Sequence, residues 1–147
     1  SVFLMWGPLM IMGSYFIQRQ AFSMNALLIS IPFGILVALV LLANNIRDIS
    51  HDRSKGIRTL PIIIGERNGL RLYSILVIMA YAGMIGMSIA GPLYLWSLIV
   101  VLSLPLALKL IHQMMQKIPD DADAQTAKLD TAFGLLLVAS LVLEGLI

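Results

Sequence analysis

The residues with the clearest chemical potential lie in one polar segment, 44–61, which follows directly on an apolar run. Asn44, Asp48 and Asp52 recur every fourth residue, so on a helix their oxygen-bearing side chains lie on one face, about 6 Å from neighbour to neighbour. Mg²⁺ prefers oxygen ligands and is typically held by one or two carboxylates together with substrate phosphates. Such a row of oxygens therefore suits a bound Mg²⁺ ion.

Four basic side chains accompany this row of oxygens. They are Arg47, Arg53, Lys55 and Arg58. An Arg guanidinium offers a bidentate fork to phosphate oxygens, and a Lys ammonium offers a point charge. The bases therefore supply what a bound polyanion needs.

A plainer interpretation of the same segment is the solvated end of a membrane helix. Its acids would then balance the arginines through pairs spaced four residues apart, each contributing about 0.2–0.5 kcal/mol. Two amides stand at its start, Asn44 and Asn45, and Gly56, Thr59-Leu60-Pro61 and Gly65 follow in order. That order is more specific than charge balance requires, and it favours a functional site.

The composition places this segment beside a membrane. The 147 residues are 59% hydrophobic and only 12% charged, whereas an ordinary soluble domain is about 25% charged. The absence of cysteine excludes a disulfide scaffold, a Cys-ligated zinc site and a thiol nucleophile. A net charge of +2 is too small to indicate nucleic-acid binding.

Five apolar stretches are predicted to form membrane-spanning helices. Each is close to the roughly 20 residues that cross a hydrocarbon core of about 30 Å, and none alternates as a barrel strand does. They cover residues 2–17, 24–43, 69–90, 93–115 and 128–147. The fold class is therefore expected to be all-α, a polytopic transmembrane bundle that occupies 1–147 as a single domain, with a polar loop at 44–68.

The charges predict which end of the bundle faces the cytoplasm. Nine of the ten basic residues lie in or beside the loops that follow the second and fourth predicted helices. Cytoplasmic loops carry an excess of Lys and Arg. We therefore expect the loops at 44–68 and 117–128 to lie inside, and the turns at Arg19 and Gly91-Pro92 to lie outside.

In the central segment the sequence resembles the UbiA superfamily of intramembrane aromatic prenyltransferases. The likeness runs through Asn44-Asn45-x-Arg47-Asp48-x-x-x-Asp52-Arg53-x-x-Gly56-x-Arg58-Thr59-Leu60 and Gly65. It looks most like the 1,4-dihydroxy-2-naphthoate polyprenyltransferase branch. Ile57 departs from that branch, which often carries Lys there, so another aromatic acceptor such as 4-hydroxybenzoate stays open. The likeness extends to Gly7-Pro8 and, more weakly, to Thr131-Ala132.

This resemblance implies nine transmembrane helices and two aspartate-rich motifs. The chain begins without Met inside an apolar run and is expected to be helices five to nine, with only the second motif. The implied reaction transfers a polyprenyl group from its diphosphate to an aromatic acceptor, in menaquinone biosynthesis at a bacterial inner membrane. Asp48, Asp52 and Arg47 would be catalytic, with Mg²⁺ on the two aspartates.

The resemblance also assigns binding roles and partners. The side chains expected to bind the diphosphate are Asn44, Asn45, Arg53, Lys55 and Arg58. The partners are polyprenyl diphosphate, the aromatic acceptor and the lipid bilayer, without nucleic acid. Because one aspartate motif is lacking, we expect the chain alone to be inactive.

A second acidic cluster, Asp120-Asp121-Ala122-Asp123, is given no role. It suggests the Asp-Asp-x-x-Asp motif of soluble isoprenyl diphosphate synthases, but position 124 is Ala, so the spacing fails. We expect a solvated loop with no part in diphosphate binding.

A transporter or channel fragment is the competing function from another class. Interrupted helices and an intramembrane polar cluster would then mark a solute pathway. Against it, the spans carry almost no ionisable residue at mid-depth, and the polar cluster sits at one end.

Overall fold

The structure, a computed structural model, describes residues 2–91, 93 and 95–146. Within those residues it is helical, with turns and no strand, so the predicted all-α class is confirmed. The elements are α1 (Val2–Leu4, the π-helical turn Met5–Leu9 and Met10–Arg19), α2 (Met24–Arg47), α3 (Ile49–Ser54), α4 (Leu60–Ile64), α5 (Glu66–Ala90), α6 (a 3₁₀ segment, Leu95–Ser103, continued by Leu104–Gln116) and α7 (Ala122–Leu146).

Four helices, α2, α5, α6 and α7, are long and apolar enough to cross a membrane. The fifth predicted span, 2–17, falls in α1, where the π-helical turn containing Pro8 leaves Met10–Arg19 as the longest regular helix. Proline removes a backbone donor inside a helix, so a local change of helix type is its usual result. Pro92 of the predicted outer turn, Tyr94 and Ile147 lie outside the described residues.

Three predicted boundaries are wrong in the same way. The loop expected at 44–68 begins as helix, since α2 continues to Arg47, and ends early, since α5 begins at Glu66. The third is the start of α7, which begins at Ala122 rather than at 128. The expected loop also contains the short helices α3 and α4. Polar residues do not by themselves end a helix, and the helix breakers Gly and Pro do not occur between Ala43 and Gly56 or between Pro119 and Gly134. Loss of hydrophobicity was therefore a poor marker of these helix ends.

Helix α2 lies at the centre of the bundle, with α5 and α7 packed on it and α1 beside its first half. The contact with α1 runs through two glycines, because a β-carbon on Gly7 would lie 2.9 Å from the Cα of Gly34. Small residues let helix backbones approach closely, which matters in a membrane where apolar burial drives little association. Large apolar side chains such as Ile89 and Leu102 remain more than 70% exposed on the outside, as lipid contact allows.

Hydroxyl pairs join α5 to its neighbours. The Tyr73 hydroxyl lies 2.9 Å from Thr126 Oγ1 of α7, and the Tyr81 hydroxyl lies 2.6 Å from Ser103 Oγ of α6. Ser88 Oγ lies 2.5 Å from Ser97 Oγ of the 3₁₀ segment. Buried polar groups without water must find partners inside the protein, so these pairs hold α5 in register with α6 and α7.

The topology can be tested by cysteine labelling, because the chain has no cysteine of its own. Ser54→Cys, in the exposed end of α3, should react with impermeant thiol reagents only from the cytoplasmic side. Gly91 is unsuitable as the opposite reporter, since a β-carbon there would lie 2.8 Å from the Cα of Met87. Ala21→Cys, exposed between α1 and α2, should label only from outside, and reversed labelling would overturn the orientation.

Candidate functional site

The row Asn44, Asp48 and Asp52 keeps its helical register across the joint between α2 and α3. Asp48 is the joint, with φ −91° and ψ 10°. Even so, the Asp48 amide donates to the Asn44 carbonyl at 3.0 Å, and the Asp52 amide donates to the Asp48 carbonyl at 2.9 Å. The backbone bonds therefore continue with a spacing of four residues through the row.

The Arg47 side chain donates hydrogen bonds to the first two residues of this row. Its Nε donates to Asp48 Oδ1 at 2.8 Å, and its Nη2 donates to Asp48 Oδ2 at 3.1 Å. The same Nη2 donates to Asn44 Oδ1 at 2.7 Å. Bidentate guanidinium–carboxylate pairs fix geometry as well as adding energy, so Arg47 orients both oxygens of Asp48.

The other guanidinium nitrogen of Arg47 reaches the start of α7. Nη1 donates to the carboxylate of Asp123 and, at 3.5 Å, to the carbonyl of Asp120. The expectation that the acidic cluster forms a solvated loop away from the site is therefore wrong for Asp123. Asp121 is exposed, as expected of a solvated loop, and among the described residues its side chain accepts one hydrogen bond, from Gln125 at 2.7 Å.

Electrostatics favour the charged form of Asp48. The hydrogen bonds from Arg47 lower the pKa of this carboxyl below its usual range, against the smaller opposing effect of desolvation. A lowered pKa means that Asp48 is anionic at neutral pH. As pH falls through that lowered value, Asp48 is protonated and the stabilisation from its pair with Arg47 is lost.

The remaining predicted residues present unpaired groups. Asp52 and Asn45 are half-buried, and neither side chain has a hydrogen bond or an ion pair within the described part of the chain. The three bases that follow are exposed and likewise form no ion pair there. They are Arg53, Lys55 and Arg58. Their charges are thus available to an anion at this end of the bundle.

Two glycines of the motif make the turns that bring the segment back to the bundle. Gly56 has φ +71° at the end of α3, and Gly65 has φ +86° between α4 and α5. Only glycine adopts such values at little cost. Between them, Thr59 precedes α4 with a buried hydroxyl that has no hydrogen-bond partner among the described residues.

Sequence reasoning missed Asp123 and Asp130. Asp123 lies in the first turn of α7, where a carboxylate is favoured by the helix dipole, and this was the available signal. Asp130 lies two turns further along and lines a cavity of about 550 Å³ between α7, α1 and α2. Its Oδ1 is buried without a hydrogen-bond partner among the described residues. The available signal for it was an acid near the start of a predicted membrane span.

No group of three His, Cys, Asp or Glu side chains among the described residues can hold a metal ion by itself. A cation at Asp48 and Asp52 would need further oxygens from a ligand. Phosphate oxygens are such ligands in many Mg²⁺ sites.

Comparison with known proteins identifies the fold family. The model of the UbiA prenyltransferase family matches residues 1–140. The chain belongs to the UbiA prenyltransferase family. This UbiA family chain is 35% identical over 142 residues to the 1,4-dihydroxy-2-naphthoate octaprenyltransferase of Bacillus subtilis (strain 168), covering 94% of the chain and 46% of that relative.

Two animal relatives are also similar to the UbiA family chain. Both are called UbiA prenyltransferase domain-containing protein 1. The protein of Xenopus tropicalis is 32% identical over 97% of the chain and 41% of its own length. That of Homo sapiens is 31% identical over the same shares. The chain thus spans less than half the length of these relatives.

The Arg47–Asp123 contact predicts a local change of dynamics in the Asp123→Asn variant. Removing one charge of a partly exposed pair costs about 1 kcal/mol, or about five-fold in a local opening equilibrium. Amide hydrogen exchange at 120–126 should therefore be several-fold faster in a lipid nanodisc. Asp121→Asn is the matched control and should exchange like the unmodified chain. Equal rates in all three proteins would exclude a structural role for the contact.

Proposed function

We propose that this UbiA family chain supplies the diphosphate-binding end of a membrane prenyltransferase, which transfers a polyprenyl group from its diphosphate to an aromatic ring. The observation that carries the proposal is the register of Asn44, Asp48 and Asp52 beside unpaired bases at one end of an apolar helical bundle. This position suits a lipid substrate, because its hydrocarbon tail can lie among helices while its diphosphate meets water and cations.

Asp48 and Asp52 would hold Mg²⁺. Asp52 has no partner among the described residues, and each oxygen of Asp48 accepts one hydrogen bond from Arg47, which leaves each with a free lone pair. Bound there, Mg²⁺ supplies Lewis-acid neutralisation of the negative charge on the leaving diphosphate. Diphosphate oxygens would complete a coordination shell for which two carboxylates alone are too few.

The basic side chains bind and stabilise the same anion. Arg53, Lys55 and Arg58 would neutralise its charge as the bond between the allylic carbon and oxygen breaks, and the bonding electrons leave with the diphosphate. Asn44 and Asn45 would position the anion through their amides. A carbon of the electron-rich ring then supplies the electron pair of the new C–C bond. In the naphthoate reaction carbon dioxide leaves that ring carbon.

We propose 1,4-dihydroxy-2-naphthoate as the acceptor, within menaquinone biosynthesis at a bacterial inner membrane, with α3 facing the cytoplasm. The name of the Bacillus subtilis relative supports this acceptor. The names of the animal relatives specify none, so 4-hydroxybenzoate or a similar phenol is the alternative. Turnover of both acceptors with one prenyl diphosphate distinguishes them.

If Asp48 and Asp52 bind the metal ion, replacing either carboxylate by a neutral amide should greatly lower activity. In the full-length gene product, Asp48→Asn or Asp52→Asn should lower turnover about 10²-fold or more, because several kcal/mol of charge stabilisation is lost in the transition state. Each should also raise the Mg²⁺ concentration that gives half-maximal rate. Both should insert into the membrane normally.

Asp121→Asn is the control for these variants. Asp123→Asn cannot serve, since Asp123 contacts Arg47. If Asp48→Asn and Asp52→Asn match the Asp121 variant in rate and Mg²⁺ dependence, the row of oxygens is a solvated helix face.

The lack of the first of the two aspartate motifs predicts that the 147 residues expressed alone are inactive. One aspartate pair cannot both position and neutralise a diphosphate that family members bind between two such motifs. Turnover of a polyprenyl diphosphate with dihydroxynaphthoate should be undetectable for the chain and restored in the complete gene product. A comparable rate from the chain alone would show that one motif suffices.

A further inference from the structure

Asp130 is a partly buried acid within the helical bundle. Its Oδ1 is buried and has no hydrogen-bond partner among the described residues. A buried oxygen of this kind costs free energy unless something donates to it, and a carboxylate costs more than a neutral group. Such a cost is tolerated where the group has a function.

The cavity beside Asp130 has the size and lining of a small-molecule site. Its volume of about 550 Å³ lies within the usual range of ligand pockets. Its walls are otherwise mainly apolar and come from three helices: Met10 and Ile11 of α1, Ile29 and Phe33 of α2, and Leu137 and Val138 of α7. Thr131 also lines it, but its hydroxyl already donates to the Ala127 carbonyl at 2.9 Å. Among the described lining residues, Asp130 is therefore the one charged group, and its Oδ1 is the one buried side-chain oxygen without a hydrogen-bond partner.

The position of Asp130 connects the cavity to the Arg47 site. Asp123, which contacts Arg47, and Asp130 lie seven residues apart on α7. Seven residues make about two turns, so both lie on the same side of the helix, with about 10 Å of axial separation. A molecule in the cavity would thus lie about 10 Å deeper in the bundle than a diphosphate bound at the helix ends.

We infer that the cavity binds a hydroxyl-bearing aromatic ring, the prenyl acceptor of the proposed function, and that Asp130 accepts a hydrogen bond from the ring hydroxyl. The inference rests on that proposed function. A hydrocarbon chain in the same cavity would leave Oδ1 unsatisfied, whereas a phenol satisfies it and fills the apolar walls. A carboxylate on the acceptor is repelled by Asp130, so the ring enters with its hydroxyl towards α7.

The test uses the full-length gene product in nanodiscs with Asp130→Asn, Asp130→Leu and the control Asp121→Asn. The KM for dihydroxynaphthoate should rise about ten-fold or more in Asp130→Leu, the loss expected for a hydrogen bond to a charged group. The rise should be smaller in Asp130→Asn, because its amide oxygen still accepts from the ring hydroxyl. The KM for geranyl diphosphate should stay unchanged. Thermal denaturation midpoints should not fall, because the variants remove a carboxylate whose buried Oδ1 has no hydrogen-bond partner among the described residues.

A binding measurement separates this inference from the proposed function. The probes are 1-naphthol and 1-methoxynaphthalene, which differ in the hydroxyl donor, titrated by calorimetry without any turnover. The unmodified protein should prefer naphthol about ten-fold. Asp130→Leu should lose that preference, and Asp130→Asn should keep a weaker one through its amide oxygen. If the protein shows no transferase activity but keeps this preference, the proposed function fails and the hydroxyl site stands.

Three outcomes overturn the inference while leaving the transferase intact. Equal affinity for the two probes would assign the cavity to a hydrocarbon chain. A fall in the denaturation midpoint of the Asp130 variants, without a change in acceptor KM, would show that another part of the gene product donates to Asp130. Equal increases in the KM for the acceptor and the KM for geranyl diphosphate would show that Asp130 supports the structure of the whole site and does not bind the acceptor.

Discussion

The guanidinium of Arg47 is the contact on which the polar end of the bundle depends. It donates to both oxygens of Asp48, to the side chain of Asn44 and to the carboxylate of Asp123. One planar group therefore fixes the orientation of a proposed metal ligand and ties the end of α2 to the beginning of α7. Lysine could not replace it, because an ammonium has no fixed fork to bridge partners in one plane.

Elsewhere in the molecule, hydrogen bonds between buried hydroxyls join neighbouring helices. Tyr73 and Tyr81 each place a hydroxyl against a hydroxyl of a neighbouring helix. The exceptions among the described residues are Thr59 and Asp130. Thr59 belongs to the motif segment, and Asp130 lines the apolar cavity. The buried oxygens without partners thus lie where we propose that ligands bind. Between α5 and its neighbours, by contrast, the hydroxyls of Tyr73 and Tyr81 are paired.

The sequence predicted what depends on local periodicity. Apolar runs predicted the helical class, and the spacing of Asn44, Asp48 and Asp52 predicted a row that the backbone hydrogen bonds preserve. It could not predict the partner of Arg47 in α7, because Asp123 is 76 residues away and only packing brings them together. The depth of Asp130 was missed for a related reason. Because α7 begins at 122 instead of 128, Asp130 lies about 9 Å further from the start of the helix than the predicted bounds placed it.

The 3₁₀ winding of Leu95–Ser103 determines which side chains of α6 face α5. Its three buried residues are Ser97, Val100 and Ser103, spaced at the three residues per turn of this helix type. In an α-helix each residue turns through about 100° rather than about 120°, so Ser103 would be rotated by about 120° relative to Ser97. Only one of the two serines could then meet its partner on α5. The tighter winding, and not the residue types alone, lets both Ser88 and Tyr81 find a hydroxyl.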